Sequence, residues 1–307
     1  MKVALLALAL TLAAGSALAA DAPKAKASSG TVKVGALQRR YDLFDPHKKK
    51  HPPLVIVLHG GGGNAANAAQ MTGFSAVADK EGFIVAYPDG TGRLAPRLLT
   101  WNAGHCCAYA MEEKVDDVAF ISALIDELVK TRGVDPKRVY VTGMSNGGMM
   151  SHRLGIELPD KIAAIAPVVG ALFGDEPAPR KPTPALILVG ADDSTVRAHG
   201  GPLSPAALVP GQPARQSADR PVLPAMAAGD YWAKADGCGA PGTTHEAEMD
   251  VTVYPRCKGG MEVRVVSVLR QGHAWPGGRK GREEAAPPNP NVHASEMIWA
   301  FFKRHHR

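Results

Sequence analysis

The chain has 307 residues, 45% of them hydrophobic and 21% charged, the composition of an ordinary soluble globular protein and enough for one large core instead of a marginal one. Its formal net charge of +6 is mild. The basic residues bunch at Lys48 to Lys50, Arg279 to Arg282 and Lys303 to Arg307, in contexts rich in Pro, Gly or His, which reads as solvated surface, with weak attraction to an acidic polymer as the sharper alternative and no nucleic-acid-binding motif alongside.

In chain order, Lys2, an Ala/Leu/Val run and then Ala17-Leu-Ala19 have the charged start, apolar segment and small-residue cleavage pattern of a secretory signal, so residues 1–20 are expected to be removed. The apolar run is shorter than the roughly 20 residues of a membrane span, and no cysteine sits near the cleavage site to carry a lipid. The product is therefore expected to be secreted or periplasmic, without a membrane anchor. Residues 21–30, rich in Ala, Lys and Ser, read as a flexible leader, and 31–307 as one domain, since neither an internal repeat nor a linker divides them.

Thr31 to Phe44 alternates as edge strands do. Pro53-Leu-Val-Ile-Val-Leu58 is apolar on both faces, the mark of a strand covered by helices on two sides, and it ends in His59-Gly-Gly-Gly-Gly63-Asn64. A helix is expected over Ala65 to Lys80, a second buried strand over Gly82 to Pro88, and a loop over Arg93 to Ala110 that contains Trp101-Asn-Ala-Gly-His105. Val118, Ile121, Ile125 and Leu128 line one face of a helix from Asp116 to Arg132, closed by Gly133.

Val139-Tyr-Val-Thr-Gly-Met-Ser-Asn-Gly-Gly-Met-Met150 then reads as strand, sharp turn, helix. Gly143-Met-Ser145-Asn-Gly147 fits the G-x-S-x-G nucleophile elbow, where flanking glycines leave room for the turn. Two further buried strands follow, Ile162 to Val169 and Ala185 to Val189, the second running into Gly190-Ala-Asp-Asp193-Ser-Thr-Val196. Residues 197–224 read as an irregular excursion rich in Pro, Ala and Gly. A helix from Val222 to Ala235, a last strand from Met261 to Val268, Gly272-His273 just past it, and a helix from Ser295 to His305 complete the pattern. Helix follows strand repeatedly, which predicts an α/β fold with a mostly parallel central sheet, helices on both faces and ligands at the C-terminal strand ends.

Four cysteines in a chain bound for an oxidising compartment predict disulfides. Cys238 and Cys257 flank a polar segment where a crosslink would restrict the chain most. The adjacent Cys106 and Cys107 admit a vicinal bridge or separate partners. The spacing fits no common zinc pattern.

Ser145, Asp193 and His273 stand in the order of an α/β-hydrolase triad. A histidine near its ordinary pKa can take the serine proton and return it to the leaving group, while the acid fixes its tautomer. Asp192 rivals Asp193 for the acid; His59 and His105 rival His273 for the base. An acyl-transfer serine also needs donors aimed at the developing oxyanion, for which the N-H of Asn146 and that of Gly61 or Gly62 are the candidates. Gly60 to Gly63 is a poor phosphate cradle, because no Lys-Ser/Thr follows it.

At these residues the chain resembles the secreted esterases grouped as poly(3-hydroxybutyrate) depolymerase-like and feruloyl esterases. The matching pieces are Leu58-His-Gly-Gly-Gly-Gly-Asn64, Trp101-Asn-Ala-Gly-His-Cys-Cys107, Val115-Asp-Asp-Val-Ala-Phe-Ile121, Gly143-Met-Ser-Asn-Gly-Gly148, Gly190-Ala-Asp-Asp-Ser-Thr-Val196 and Gly272-His-Ala-Trp-Pro-Gly277. The resemblance implies an α/β-hydrolase fold, Asp193 as the acid with glycine three residues before it and valine three after, and His273 as the base. Arg197 stands where the family often has proline. The implied activity is a secreted serine carboxylesterase that needs no metal or organic cofactor. Its implied substrates are hydroxycinnamate esters, including those linked to plant polysaccharide, or 3-hydroxyalkanoate polyesters and oligomers. Depolymerases of insoluble polymers in the family generally carry a linker and a binding domain, and this chain stops at its terminal helix, so soluble esters or oligomers are expected. Trp101 and Trp275 are candidates for an aromatic wall around the acyl group, with burial in the core as the alternative. A serine peptidase of the same fold and a non-catalytic hydrolase-like binding protein are the competing readings.

Overall fold

The structure is a computed structural model that describes residues 26–203 and 220–307; the expected signal segment and residues 204–219 of the expected excursion lie outside the described residues. The described chain begins with a hairpin, β1 (Lys26–Val34) and β2 (Leu37–Asp45). Lys26 to Gly30, expected as leader, are thus strand: the backbone of β1 pairs with Tyr41 to Asp45, and ladder hydrogen bonds do not require apolar side chains.

Next come β3 (Leu54–Leu58), α1 (Ala65–Thr72), α2 (Phe74–Glu81) and β4 (Ile84–Pro88). The single helix expected over 65–80 is two, because Gly73 takes φ 63° and ends α1 with its N-H on the Ala69 carbonyl. A short helix, α3 (Ala108–Glu112), interrupts the loop that follows. Helix α4 (Asp117–Arg132) is capped by the Asp116 carboxylate, which accepts from the Ala119 N-H, and closes at Gly133, as its sequence pattern predicts.

Strand β5 (Val139–Met144) leads into α5 (Asn146–Glu157), then β6 (Ala164–Val168) and β7 (Ala185–Gly190). Where an irregular excursion is expected, β8 (Gly201–Pro202) and β9 (Pro221–Val222) form a small antiparallel pair. Helix α6 (Ala225–Ala235) precedes a hairpin, β10 (Gly242–His245) and β11 (Met249–Tyr254), and the chain closes with β12 (Val263–Val268) and α7 (Ala294–Phe302). The hairpin falls in the polar segment between Cys238 and Cys257, to which no strand is assigned above; its signal is the alternation of Met249, Val251 and Val253 with Asp250 and Thr252.

Ten strands form one sheet in the order β1-β2-β4-β3-β5-β6-β7-β12-β11-β10. The six from β4 to β12 are parallel, and an antiparallel pair finishes each edge. The apolar run of β3 has its reason here. Leu54, Ile56 and Leu58 enter the core built with Phe120 and Leu124 of α4, Leu154 of α5 and Trp232 of α6, whereas Val55 and Val57 enter the core built with Ala68 of α1, Phe74 of α2 and Ile298 and Phe302 of α7. Cys238 and Cys257 form one disulfide, and Cys106 and Cys107 a vicinal one. Among the described residues no helix is long and apolar enough to cross a membrane.

Candidate active site

Strand β5 stops at Met144, and Ser145 turns the chain with φ 56° and ψ −120° into the first turn of α5. A non-glycine residue held at positive φ is strained, and the Ser145 N-H donates to the Val168 carbonyl at 2.9 Å to hold it there. The flanking glycines are sterically required. A Cβ on Gly143 would lie 2.5 Å from the Gly147 carbonyl oxygen, and one on Gly147 would lie 2.5 Å from that of His59. The helix therefore crosses against β3 with no room for side chains, and Ser145 is left at the apex.

Asp193 and His273 arrive from the ends of β7 and β12, which are neighbours in the sheet. The Asp192 N-H donates to the Gln271 carbonyl at 3.0 Å, and a Cβ on Gly190 would come within 2.4 Å of that same oxygen, so the two loops are packed backbone to backbone. His273 Nδ1 lies 2.7 Å from Asp193 Oδ2, and His273 Nε2 lies 2.9 Å from Ser145 Oγ. The Asp193 side chain is fully buried, and its Oδ1 accepts the N-H groups of Thr195 at 2.8 Å and Val196 at 2.9 Å. With Nδ1 donating to that carboxylate, Nε2 is left as acceptor for the Ser145 hydroxyl.

The rivals lie elsewhere. Asp192 is exposed at the rim of the cavity, and its carboxylate makes no bond to His273. His105 faces Asp175 at 3.0 Å. His59 is fully buried, and burial pushes its pKa down to about 4. It stays neutral, accepting the Gly90 N-H on Nε2 at 3.0 Å and donating from Nδ1 to the Gly60 carbonyl at 2.8 Å.

Of the expected oxyanion donors, Asn146 opens α5, where an N-H has no partner within its own helix. Gly62 does not qualify. Its N-H donates to the Leu99 carbonyl at 2.8 Å, so the glycine-loop donor that remains is the N-H of Gly61. Gly60 beside it is close enough to the nucleophile that a Cβ there would sit 3.6 Å from Ser145 Cβ.

Ser145 and His273 open onto a cavity of about 580 Å3, lined also by Gly60 to Gly63, Asn67, Met71, Leu98, Met144, Trp275, Arg279 and Arg282. Trp101 is no part of this wall. It is fully buried, and its indole N-H donates to the His59 carbonyl at 3.0 Å. Trp275 borders the cavity yet is 1% exposed, its indole N-H on Ser295 Oγ at 3.0 Å and its ring edge-on to Phe74. No cluster of three metal-ligating side chains occurs among the described residues.

Residues 41–190 match the model of a protein family described as Esterase PHB depolymerase. Feruloyl esterase B of Piromyces equi is 33% identical over 237 residues, 76% of this chain and 41% of that protein. The putative esterase NocK of Nocardia uniformis subsp. tsuyamanensis is 31% identical over 240 residues, 74% of this chain and 66% of that protein. The match places residues 41–190 in the PHB depolymerase esterase family. The chain spans less than two thirds of the length of either of these curated relatives. Among solved structures, an acetyl xylan esterase from Aspergillus awamori superposes with a TM-score of 0.61 at 15% identity, over 90% of this chain and 99% of that one, which establishes the α/β-hydrolase fold. Within the esterase-family match lie the glycine loop, Trp101 and Ser145. Asp193 and His273 fall beyond it, and the two hydrogen bonds of His273 are what join them to Ser145.

Proposed function

We propose that the protein is a serine carboxylesterase in which Ser145 is the nucleophile, His273 the base and then the acid, and Asp193 the group that orients it. The observation that carries this reading is the unbroken relay from the buried Asp193 carboxylate through both nitrogens of His273 to Ser145 Oγ. In the first half-reaction the Ser145 proton passes to His273 Nε2 as Oγ attacks the ester carbonyl, and the carbonyl oxygen becomes an oxyanion between the N-H groups of Asn146 and Gly61. Collapse breaks the ester C-O bond, and the leaving alcohol takes the proton from Nε2. Water then repeats the sequence on the acyl-serine, releasing the acid and restoring the Ser145 hydroxyl. Each oxyanion donor in such a site supports turnover by about 100- to 1000-fold.

For substrate, the reading favours esters of hydroxycinnamic or 3-hydroxyalkanoic acids, including hydroxycinnamates carried on plant polysaccharide. Relatives named feruloyl esterase B, acetylxylan esterase and poly(3-hydroxyalkanoate) depolymerase C support the class, and the 580 Å3 cavity lies within the roughly 300–1,000 Å3 of small-molecule sites. The same reading takes the chain from β1 onward, residues 26–307, as the catalytic domain, with export to the periplasm or medium supported by the two disulfides and by the N-terminal pattern.

The test is labelling by a fluorophosphonate, with parallel hydrolysis of methyl ferulate, a 3-hydroxybutyrate oligomer, a simple acetyl ester and a peptide amide. Ester turnover and labelling are expected, both lost in Ser145→Ala. Turnover of the amide alone would replace the esterase reading with a peptidase, and an equally active Ser145→Ala would remove the nucleophile.

A further inference from the structure

Trp101 occupies a place that burial alone does not explain. Its main chain is gripped by the side chain of Asn146: the Trp101 N-H donates to Asn146 Oδ1 at 2.7 Å, and Asn146 Nδ2 donates to the Trp101 carbonyl at 3.0 Å. Its indole N-H reaches the other way, to the His59 carbonyl at 3.0 Å, with the two rings 4.9 Å apart. One residue thus joins the start of α5 to the start of the glycine loop. The join is doubled two residues earlier, where the Leu99 carbonyl accepts the Gly62 N-H.

The connection runs on to the donor atoms. Asn146 carries one proposed oxyanion N-H on its own backbone. The other, on Gly61, shares a peptide unit with the Gly60 carbonyl, and that carbonyl accepts from His59 Nδ1 at 2.8 Å and from the Gly63 N-H at 3.0 Å. A trans peptide is planar, with its N-H directed opposite to its C=O, so aiming the Gly60 oxygen aims the Gly61 N-H. We infer that Trp101 is a positioning residue of the proposed esterase site: it sets the separation and direction of the two N-H groups that receive the oxyanion, without touching substrate. This inference rests on the esterase reading given above. Its physical basis is that a donor contributes to catalysis only when it is already aimed at the charge that develops in the transition state.

The test substitutes Trp101→Phe, which keeps an aromatic ring and removes the indole N-H, leaving the His59 carbonyl without that donor. Expected are a fall in kcat of about 10- to 100-fold with KM within about twofold, because ground-state binding does not use the oxyanion donors. Affinity for a boronic acid that forms a tetrahedral adduct on Ser145 should fall by a similar factor, while that of the product carboxylic acid should not. Trp232→Phe is the control, since it removes a comparable buried indole hydrogen bond, to His152 at 3.0 Å, away from the site. It should lower thermal stability and leave kcat unchanged. A second variant, Asn146→Ala, keeps the backbone donor and releases Trp101. It should reproduce the loss in kcat, and the double variant should lose much less than the product of the two, as residues acting in one unit do. An unaltered kcat in Trp101→Phe, equal losses in kcat and tetrahedral-adduct affinity in Trp232→Phe, or multiplicative losses in the double variant would overturn the inference. Wild-type protein without ester turnover would instead overturn the esterase reading.

Discussion

Asp193 meets His273 through one carboxylate oxygen at 2.7 Å while its other oxygen is saturated by two backbone N-H groups, so the acid has no rotational freedom left. Asp192, one residue away, has its own N-H tied to Gln271 and its side chain in solvent. Asp193→Asn is therefore expected to lower kcat by about 1,000- to 10,000-fold with little change in fold, because an amide no longer selects the tautomer that leaves Nε2 as acceptor. Asp192→Asn should stay within about threefold of wild type. Steady-state hydrolysis by the two purified variants decides this, and a larger loss in Asp192→Asn would transfer the role.

The elbow glycines make a prediction about folding. A Cβ on Gly147 would fall 2.5 Å from the His59 carbonyl oxygen and 2.6 Å from that of Leu58, both backbone atoms of β3 and its end, which do not yield as a flexible side chain would. Gly147→Ala is expected to cost roughly 2–4 kcal/mol or to prevent folding. Gly242, on the exposed edge strand β10, has nothing within 4 Å of a built Cβ, and Gly242→Ala should be neutral within about 0.5 kcal/mol. Urea unfolding of both variants measures the contrast; equal midpoints would show that α5 can move off β3.

Much of this site is legible in the chain because it is local or periodic. The apolar runs at Leu54 to Leu58 and Ala185 to Gly190, the glycines around Ser145 and the helix-closing Gly133 each state a backbone requirement at their own position. What escapes is whatever depends on a distant partner. Gly61 and Gly62 are equivalent as residues, and only the Leu99 carbonyl, far along the chain, removes one of them from consideration. Trp101 reads equally well as a wall or as core until its indole is seen on the His59 carbonyl. Gly73 within 65–80 and the alternation at 249–254 are signals of another kind: they are present in the sequence, and mark a helix break and a strand.

His152 of α5 predicts how the protein responds to acid. It is fully buried, its Nδ1 accepts the Trp232 indole N-H, its Nε2 has no partner among the described residues, and burial pushes its pKa down to about 3. Between the ordinary histidine value near 6.5 and about 3 the unfolded chain holds a proton that the folded protein does not, so stability falls as pH falls through that window. His152→Leu should be less stable than wild type at pH 7 by about 1–3 kcal/mol, since Trp232 loses its acceptor. Its stability should nevertheless decline less steeply from pH 6.5 to 4. Urea unfolding at half-unit pH steps gives both quantities, and parallel curves would mean that His152 is protonated in the native state.

Asp236 carries the opposite sign. It ends α6 with its side chain buried, Oδ1 accepting the Thr183 N-H at 2.9 Å and Oδ2 without a partner among the described residues, and burial raises its pKa from 3.8 to about 6. Between those values the folded protein keeps a proton that the unfolded chain has released, so this group's contribution to stability falls as pH rises from about 4 to about 6 and is constant above. Asp236→Asn keeps an oxygen for Thr183 and removes the charge. The variant should therefore match wild type near pH 4 and exceed it by roughly 1–3 kcal/mol at pH 7, the scale of leaving a buried carboxylate oxygen ionised without a partner. Because the same pH range carries the His152 effect with reversed sign, the comparison has to be between wild type and variant at each pH, not along the wild-type curve. A constant offset from pH 4 to 7 would show that Asp236 is ionised in the native state at both ends.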